Sequence, residues 1–168
     1  MARPLAGGRP TISAPAALEV TVRTASAAET IALGERLGRV AEPGDLVCLW
    51  GELGAGKTQV AKGVALGLGI DATITSPTFV LMAEYSGRIR LFHVDLYRLA
   101  DAADALAGGV VDDRQADGLT VVEWPERMGD VLPASRLDVR IVGTGDDART
   151  IAIVATAARY RRYVDAAR

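Results

Sequence analysis

Leu46-Val47-Cys48-Leu49-Trp50-Gly51-Glu52-Leu53-Gly54-Ala55-Gly56-Lys57-Thr58 joins a short apolar run to a glycine-rich loop that ends in lysine and threonine. The run reads as a buried strand, and residues 51–58 spell G-x-x-x-x-G-K-[ST]. Each part of that pattern has a physical task. Gly51, Gly54 and Gly56 let successive backbone N–H groups close around one anion, with Glu52, Leu53 and Ala55 between them. Lys57 reaches the β- and γ-phosphates, and Thr58 offers a hydroxyl to Mg2+. Gln59 continues into a helix whose positive dipole end faces the phosphates. Of the 19 basic residues only Lys57 and Lys62 are lysine. A planar guanidinium does not replace an ammonium that sits as a point charge between phosphates. A lysine at this place in so arginine-rich a chain is therefore no accident of composition. The stretch implies a nucleoside triphosphate site inside an α/β fold.

The bulk composition agrees. At 168 residues the chain fits one domain with a sizeable core, and 49% hydrophobic against 24% charged residues is ordinary for a soluble globular protein. A net charge of −2 argues against a protein that grips nucleic-acid phosphates by overall charge. The run Arg159-Tyr160-Arg161-Arg162-Tyr163 reads as the solvated face of a final helix. The single cysteine, Cys48, lies in the strand feeding the loop and reads as a small core hydrophobe. No apolar stretch approaches the ~18 residues needed to cross a bilayer. Residues 1–15 carry arginines and prolines rather than an apolar signal core, so a cytoplasmic location without membrane contact is expected.

Residues 1–17, rich in Ala, Gly and Pro, read as a disordered tail, and residues 18–168 as one phosphate-loop ATPase domain. Residues 18–23 alternate as a half-buried strand. Ser26-Ala27-Ala28-Glu29 is a capping box opening a helix to about Val40, with Ile31, Leu33, Leu37 and Val40 as its buried stripe. Val60, Ala61, Val64, Ala65 and Leu68 mark a second helix, which Gly69 stops. Residues 79–85 and 89–97 read as a hairpin about Ser86-Gly87, and 101–106 as a short helix. Residues 119–123 form another buried strand, and Pro125 opens a short helix to about Leu132. Residues 137–142 and 150–155 form a second hairpin across a Gly/Asp turn, followed by a C-terminal helix. The expected fold is a P-loop NTPase-like three-layer sandwich with a mixed parallel and antiparallel central sheet.

A phosphate loop needs an acid near Mg2+ and a group that positions the nucleophile. Asp95 and Glu123 each end an apolar strand, where parallel sheets place their ligands. One is expected to hold Mg2+ and the other to orient or activate the hydrolytic water; either assignment is open. Thr78, on a loop after the first phosphate-site helix, is a candidate switch that reaches Mg2+ or the γ-phosphate. His93, the only histidine, reads first as a hydrogen-bonded core residue and second as a proton-transfer group. Trp124 follows Glu123 and either packs the strand end or stacks on the nucleotide or a partner.

These motifs together resemble one family. The phosphate loop, Ser76-Pro77-Thr78-Phe79, His93-Val94-Asp95-Leu96-Tyr97-Arg98-Leu99 and Glu123-Trp124-Pro125-Glu126-Arg127 follow the order and spacing of the TsaE family, also called YjeE. The resemblance covers about residues 18–155. It implies a small ATPase of tRNA threonylcarbamoyladenosine biosynthesis, using ATP and Mg2+. Its partners would be TsaB-like and TsaD-like proteins, which modify the adenosine beside the anticodon, and it would meet tRNA only through them. By that likeness Lys57 and Thr58 match the phosphate and Mg2+ ligands, Asp95 and Glu123 the two motif acids, and Thr78 the switch threonine. The segment 24–29 would serve the adenine pocket, and the chain itself would be a monomer. Gln59 stands where a second threonine is common, and residues 107–115 are poorer in leucine and aromatics than is usual there. Rival readings are narrower. A GTPase needs an Asn-Lys-x-Asp motif, and the chain has no asparagine. A small-molecule kinase would need a lid arginine, for which Arg114 is the candidate. A third reading is an assembly adaptor with incidental hydrolysis.

Overall fold

The apolar pentad Leu46–Trp50 becomes β2, the middle strand of a seven-stranded sheet in the order β1-β7-β6-β2-β5-β4-β3. The computed structural model describes residues 18–79, 81–107 and 113–168, with the backbone alone at 106, 113 and 114. The disordered tail expected for residues 1–17 lies outside them. In chain order the strands are β1 (Leu18–Thr24), β2, β3 (Met82–Tyr85), β4 (Arg90–Asp95), β5 (Gly118–Glu123), β6 (Leu137–Val142) and β7 (Arg149–Ala155). The helices are α1 (Ala27–Arg39), α2 (Lys57–Gly67), α3 (Ala102–Ala107) and α4 (Arg161–Ala167). β2 pairs in parallel with β5 and β6, and β4 with β5. The two hairpins, β3–β4 and β6–β7, and the pair β1–β7 are antiparallel. The mixed sheet expected from sequence is therefore present.

Strand alternation divides the core. Val47, Leu49 and Val121 point to the face covered by α1, α2 and α4, while Val94 and Val122 point to the face covered by α3 and the 3-10 turns of Pro125–Val131. Along β1 burial alternates with exposure, the mark of a strand with one wet face.

The α1 stripe differs from the expected one. Ile31 and Val40 are only part-buried, and Gly34 and Gly38 join Leu33 and Leu37 in the interface. The cause is close packing against α2. A Cβ on Gly34 would lie 2.4 Å from the Val60 carbonyl oxygen, and one on Gly63 would lie 2.1 Å from that of Ile31. Gly38 and Gly67 repeat this contact one turn on. Two small-residue stripes bring the helix backbones together and fix α2, whose first residues are Lys57 and Thr58. Ser26 caps α1 by accepting Glu29 N–H at 3.1 Å, while the Glu29 carboxylate takes the Ala25 N–H at 2.7 Å.

Other boundaries moved for local reasons. The strand expected from residue 79 begins at Met82, because Leu81 N–H closes a turn onto Pro77 O at 2.8 Å and adopts φ 67°. β4 stops at Asp95 because the Tyr97 N–H folds back onto Asp95 Oδ1 at 2.8 Å. The helix expected at 125–132 is two 3-10 turns, interrupted by Gly129 at φ 49° and ψ −129°.

The arginine–tyrosine run is not merely a solvated face. Tyr160 and Tyr163 are buried, and Asp45, just before β2, accepts Tyr163 Oη at 2.6 Å, Arg159 Nη2 at 2.9 Å and an Arg162 N–H. Leu46 N–H reaches Tyr160 Oη at 3.0 Å. The C-terminal helix is thus clasped to the base of the central strand.

Candidate functional site

β2 delivers the chain to Gly51 at the carboxyl end of the sheet. Gly54 and Gly56 take φ 78° and φ 108°, the left-handed region that glycine tolerates, and wrap the loop into the start of α2. Gly56 caps α2 without a side-chain bond, and no acid sits in the first turn. The N-terminal N–H groups of an eleven-residue helix are left for an anion. Lys57 is buried and curls into its own loop, donating to Gly51 O at 2.5 Å and Glu52 O at 2.8 Å. Its ammonium lies 3.9 Å from the Trp124 ring centre. Burial lowers the Lys57 pKa, opposed by the charges of Glu123, Glu126 and Asp95. Trp124 sits at φ 61° and ψ 49°, rare for a bulky residue, and packs 4.9 Å from Tyr97.

The two acids stand side by side. Asp95 and Glu123 are register partners at the ends of parallel β4 and β5, two strands and one strand from the loop's entry strand β2. Both are buried, and each is held by hydroxyls. Asp95 Oδ2 accepts Thr78 Oγ1 at 2.8 Å and the Ser76 hydroxyl, and the two hydroxyls are 2.9 Å apart. Glu123 accepts Thr58 Oγ1 at 3.1 and 3.3 Å and faces His93 Nε2 at 2.8 Å. His93 is therefore a core residue tied directly to an acid of the site.

A cleft of about 570 Å3 opens over these groups. Leu53, Gly54, Ala55, Gly56, Lys57, Thr58 and Gln59 form its floor, with Thr78, Asp95, Glu123 and Trp124 at one end. Gly51 and Glu52 line a neighbouring groove and meet this cleft only through the carbonyls that hold Lys57. Ala25, Ser26 and Ala27, in the segment expected near an adenine, form another wall together with Thr30.

Two contributions were not anticipated. Ser76 belongs to a quoted motif yet had no assigned role; its spacing of two from Thr78 was the available signal. Arg149 of β7 donates Nε–H to Ala55 O at 2.8 Å and Nη2–H to Gly54 O at 3.3 Å and Gly145 O at 2.9 Å. It ties the β6–β7 turn to the phosphate loop, and both line the same cleft.

Among the described residues, no group of three or more His, Cys, Asp or Glu side chains forms a metal cage. Two carboxylates with neighbouring hydroxyls suit instead a hard ion that keeps waters and borrows phosphate oxygens, as Mg2+ does. The donor set fits that ion.

A mixed sheet with a glycine loop at the carboxyl end of its middle strand, opening a helix, is a P-loop NTPase-like fold. The crystal structure of Bacillus subtilis YdiB shares it, with a TM-score of 0.73 and 34% identity over 90% of this chain and 95% of that one. The family model for threonylcarbamoyl adenosine biosynthesis protein TsaE matches residues 24–151. The TsaE protein of Treponema pallidum is 43% identical over 129 residues, 76% of this chain and 96% of that protein. The Bacillus subtilis TsaE is 40% identical over 139 residues, 82% and 87% of the two chains. This chain belongs to the TsaE family, whose role lies in tRNA threonylcarbamoyladenosine biosynthesis.

Proposed function

We propose that the chain is a Mg2+-dependent ATPase that allows a TsaD-like threonylcarbamoyl transferase and its TsaB-like partner to turn over. The observation that supports it best is the convergence of Lys57, Thr58, Asp95 and Glu123 on one cleft, above an uncapped helix N-terminus. The loop N–H groups and Lys57 bind the triphosphate, and Lys57 exchanges two backbone carbonyls for phosphate oxygens. Thr58 with Asp95 or Glu123 holds Mg2+, which when bound neutralises charge on the β- and γ-oxygens.

Glu123 orients or activates the attacking water, since a carboxylate held by two neighbours is already placed for that work. Thr78 acts as a switch that trades Asp95 for the bound nucleotide and its ion. Trp124 covers Lys57 and stacks beside the nucleotide. The protein works in the cytoplasm as a monomer and meets tRNA through its partners, in keeping with its net charge of −2. Among the described residues no helix is long and apolar enough to cross a membrane.

The test is ATP hydrolysis by the full chain alone and then with the two partner proteins, together with co-purification with and without ATP. Slow turnover alone, raised by the partners, is expected. Strong phosphoryl transfer to a metabolite would sink the reading.

A further inference from the structure

We propose that His93 is a positioning residue for Glu123, donating Nε2–H to Oε1 and so fixing the carboxylate that faces Thr58 and the cleft. The inference rests on the ATPase reading above, in which Glu123 serves hydrolysis.

The geometry of both ring nitrogens points the same way. His93 lies on β4 with no exposed surface, and its Nε2 is 2.8 Å from Glu123 Oε1. Nδ1 has no hydrogen-bond partner among the described residues. A buried N–H without an acceptor is rarer in proteins than an unsatisfied lone pair. The ring proton therefore belongs on Nε2. The opposite tautomer would also aim an Nε2 lone pair at a carboxylate oxygen, which repels it.

Glu123 needs this support more than Asp95 does. Asp95 has three donors, Ser76, Thr78 and the Tyr97 N–H, spread over both oxygens. Thr58 Oγ1 straddles both Glu123 oxygens at 3.1 and 3.3 Å, so it leaves the carboxylate free to rotate. His93 addresses Oε1 alone. With that oxygen pinned, the carboxylate is held in one orientation beside Thr58. A long acidic side chain otherwise pays rotamer entropy each time it adopts the working pose.

Because the chain has one histidine, its ring 15N spectrum is unambiguous. The nucleotide-free full-length protein is expected to show a slowly exchanging proton on Nε2 and a bare Nδ1. A proton on Nδ1 with a bare Nε2 would overturn the proposal. Two variants then test the consequence. His93→Gln keeps an N–H donor and is expected to hold kcat within about threefold, whereas His93→Leu loses about 10- to 100-fold. ATP dissociation constants should stay within about twofold of native in both, because neither change touches the loop. Native turnover in His93→Leu, or equal losses in the two variants, would overturn it. A native protein that hydrolyses no ATP with its partners refutes the ATPase reading instead, and leaves the ring spectrum to decide the geometry.

Discussion

Asp95 and Glu123 face each other across the parallel register of β4 and β5, yet each is anchored by a different set of donors. Asp95 is tied to the Ser76–Thr78 loop, and Glu123 to Thr58 on α2 and to His93 in the core. Their roles should separate accordingly. A loop-tied acid responds when that loop rearranges around a ligand, whereas a core-tied acid stays put. Glu123→Ala is expected to keep most ATP binding and lose about 10²- to 10⁴-fold in kcat, the usual worth of a general base. Lys57→Ala should abolish measurable ATP affinity, since nothing else in the loop carries charge to the phosphates. Calorimetric titration alongside phosphate release tells the two apart. Normal turnover in Glu123→Ala would show that the roles are reversed.

Arg149, itself a lining residue of the cleft, holds the phosphate loop through the carbonyls of Gly54 and Ala55. Those bonds fix the peptides on either side of Ala55, whose own N–H already donates to Glu52 O at 3.1 Å. Arg149→Ala is expected to weaken ATP binding about tenfold, consistent with losing charge-assisted bonds at a partly exposed position. Arg149→Lys should not restore it, because one ammonium cannot span two loop carbonyls and the Gly145 carbonyl together. Native affinity in the lysine variant would contradict this account.

What the sequence revealed follows the range of each interaction. The loop of residues 51–58 and its entry strand were legible because glycine pattern, lysine and apolar run are contiguous. The strand-end acids were legible because each closes an apolar run. Arg149 was not, since its partner Ala55 is 94 residues away and it is one of many arginines. The clasp on Asp45 spans 114 to 118 residues and was hidden in the same way. The α1 stripe was misread because hydrophobic periodicity weights bulky residues, and a contact made by Gly34 and Gly63 carries no such weight. The late start of β3 arose from a turn at Pro77 that places Leu81 at positive φ, a conformation no leucine advertises.

The glycine contact between α1 and α2 has a measurable cost attached. A Cβ on Gly63 would meet Ile31 O at 2.1 Å and Gly34 Cα at 2.8 Å, and these backbone atoms move only if the helices part. Gly63→Ala is therefore expected to destabilise by about 1–3 kcal/mol despite the better helix propensity of alanine. In a chain of this size that lowers Tm by roughly 2–12 °C. ATP affinity should fall with it, because α2 carries Lys57 and Thr58. Leu66→Ala, on the exposed side of the same helix, serves as the control and should leave affinity unchanged. Thermal melts with and without nucleotide make the comparison, and a Gly63→Ala protein as stable as native would mean the helices tolerate a wider spacing.

Alkaline pH should unfold this protein earlier than its core would otherwise allow. Burial pushes the Cys48 thiol up from 9.0 to about 12, with Asp138 adding to the shift and Arg136 opposing it. Burial also raises Tyr163, reinforced by the charge of Asp45 and the hydrogen bond to it, and raises Tyr160. Each group holds its proton more tightly folded than unfolded, so deprotonation favours the unfolded chain. The Cys48 contribution is complete below pH 9.0 and is lost as pH rises through about 12. The tyrosines act in the same direction from about pH 10 upward. Urea midpoints from about pH 8 to about pH 11 should therefore fall. Cys48→Ala should flatten the start of that decline, and Tyr163→Phe its later part, even though each variant begins less stable at neutral pH. A midpoint that stays level across the range in the native protein would mean these groups ionise without strain inside the fold.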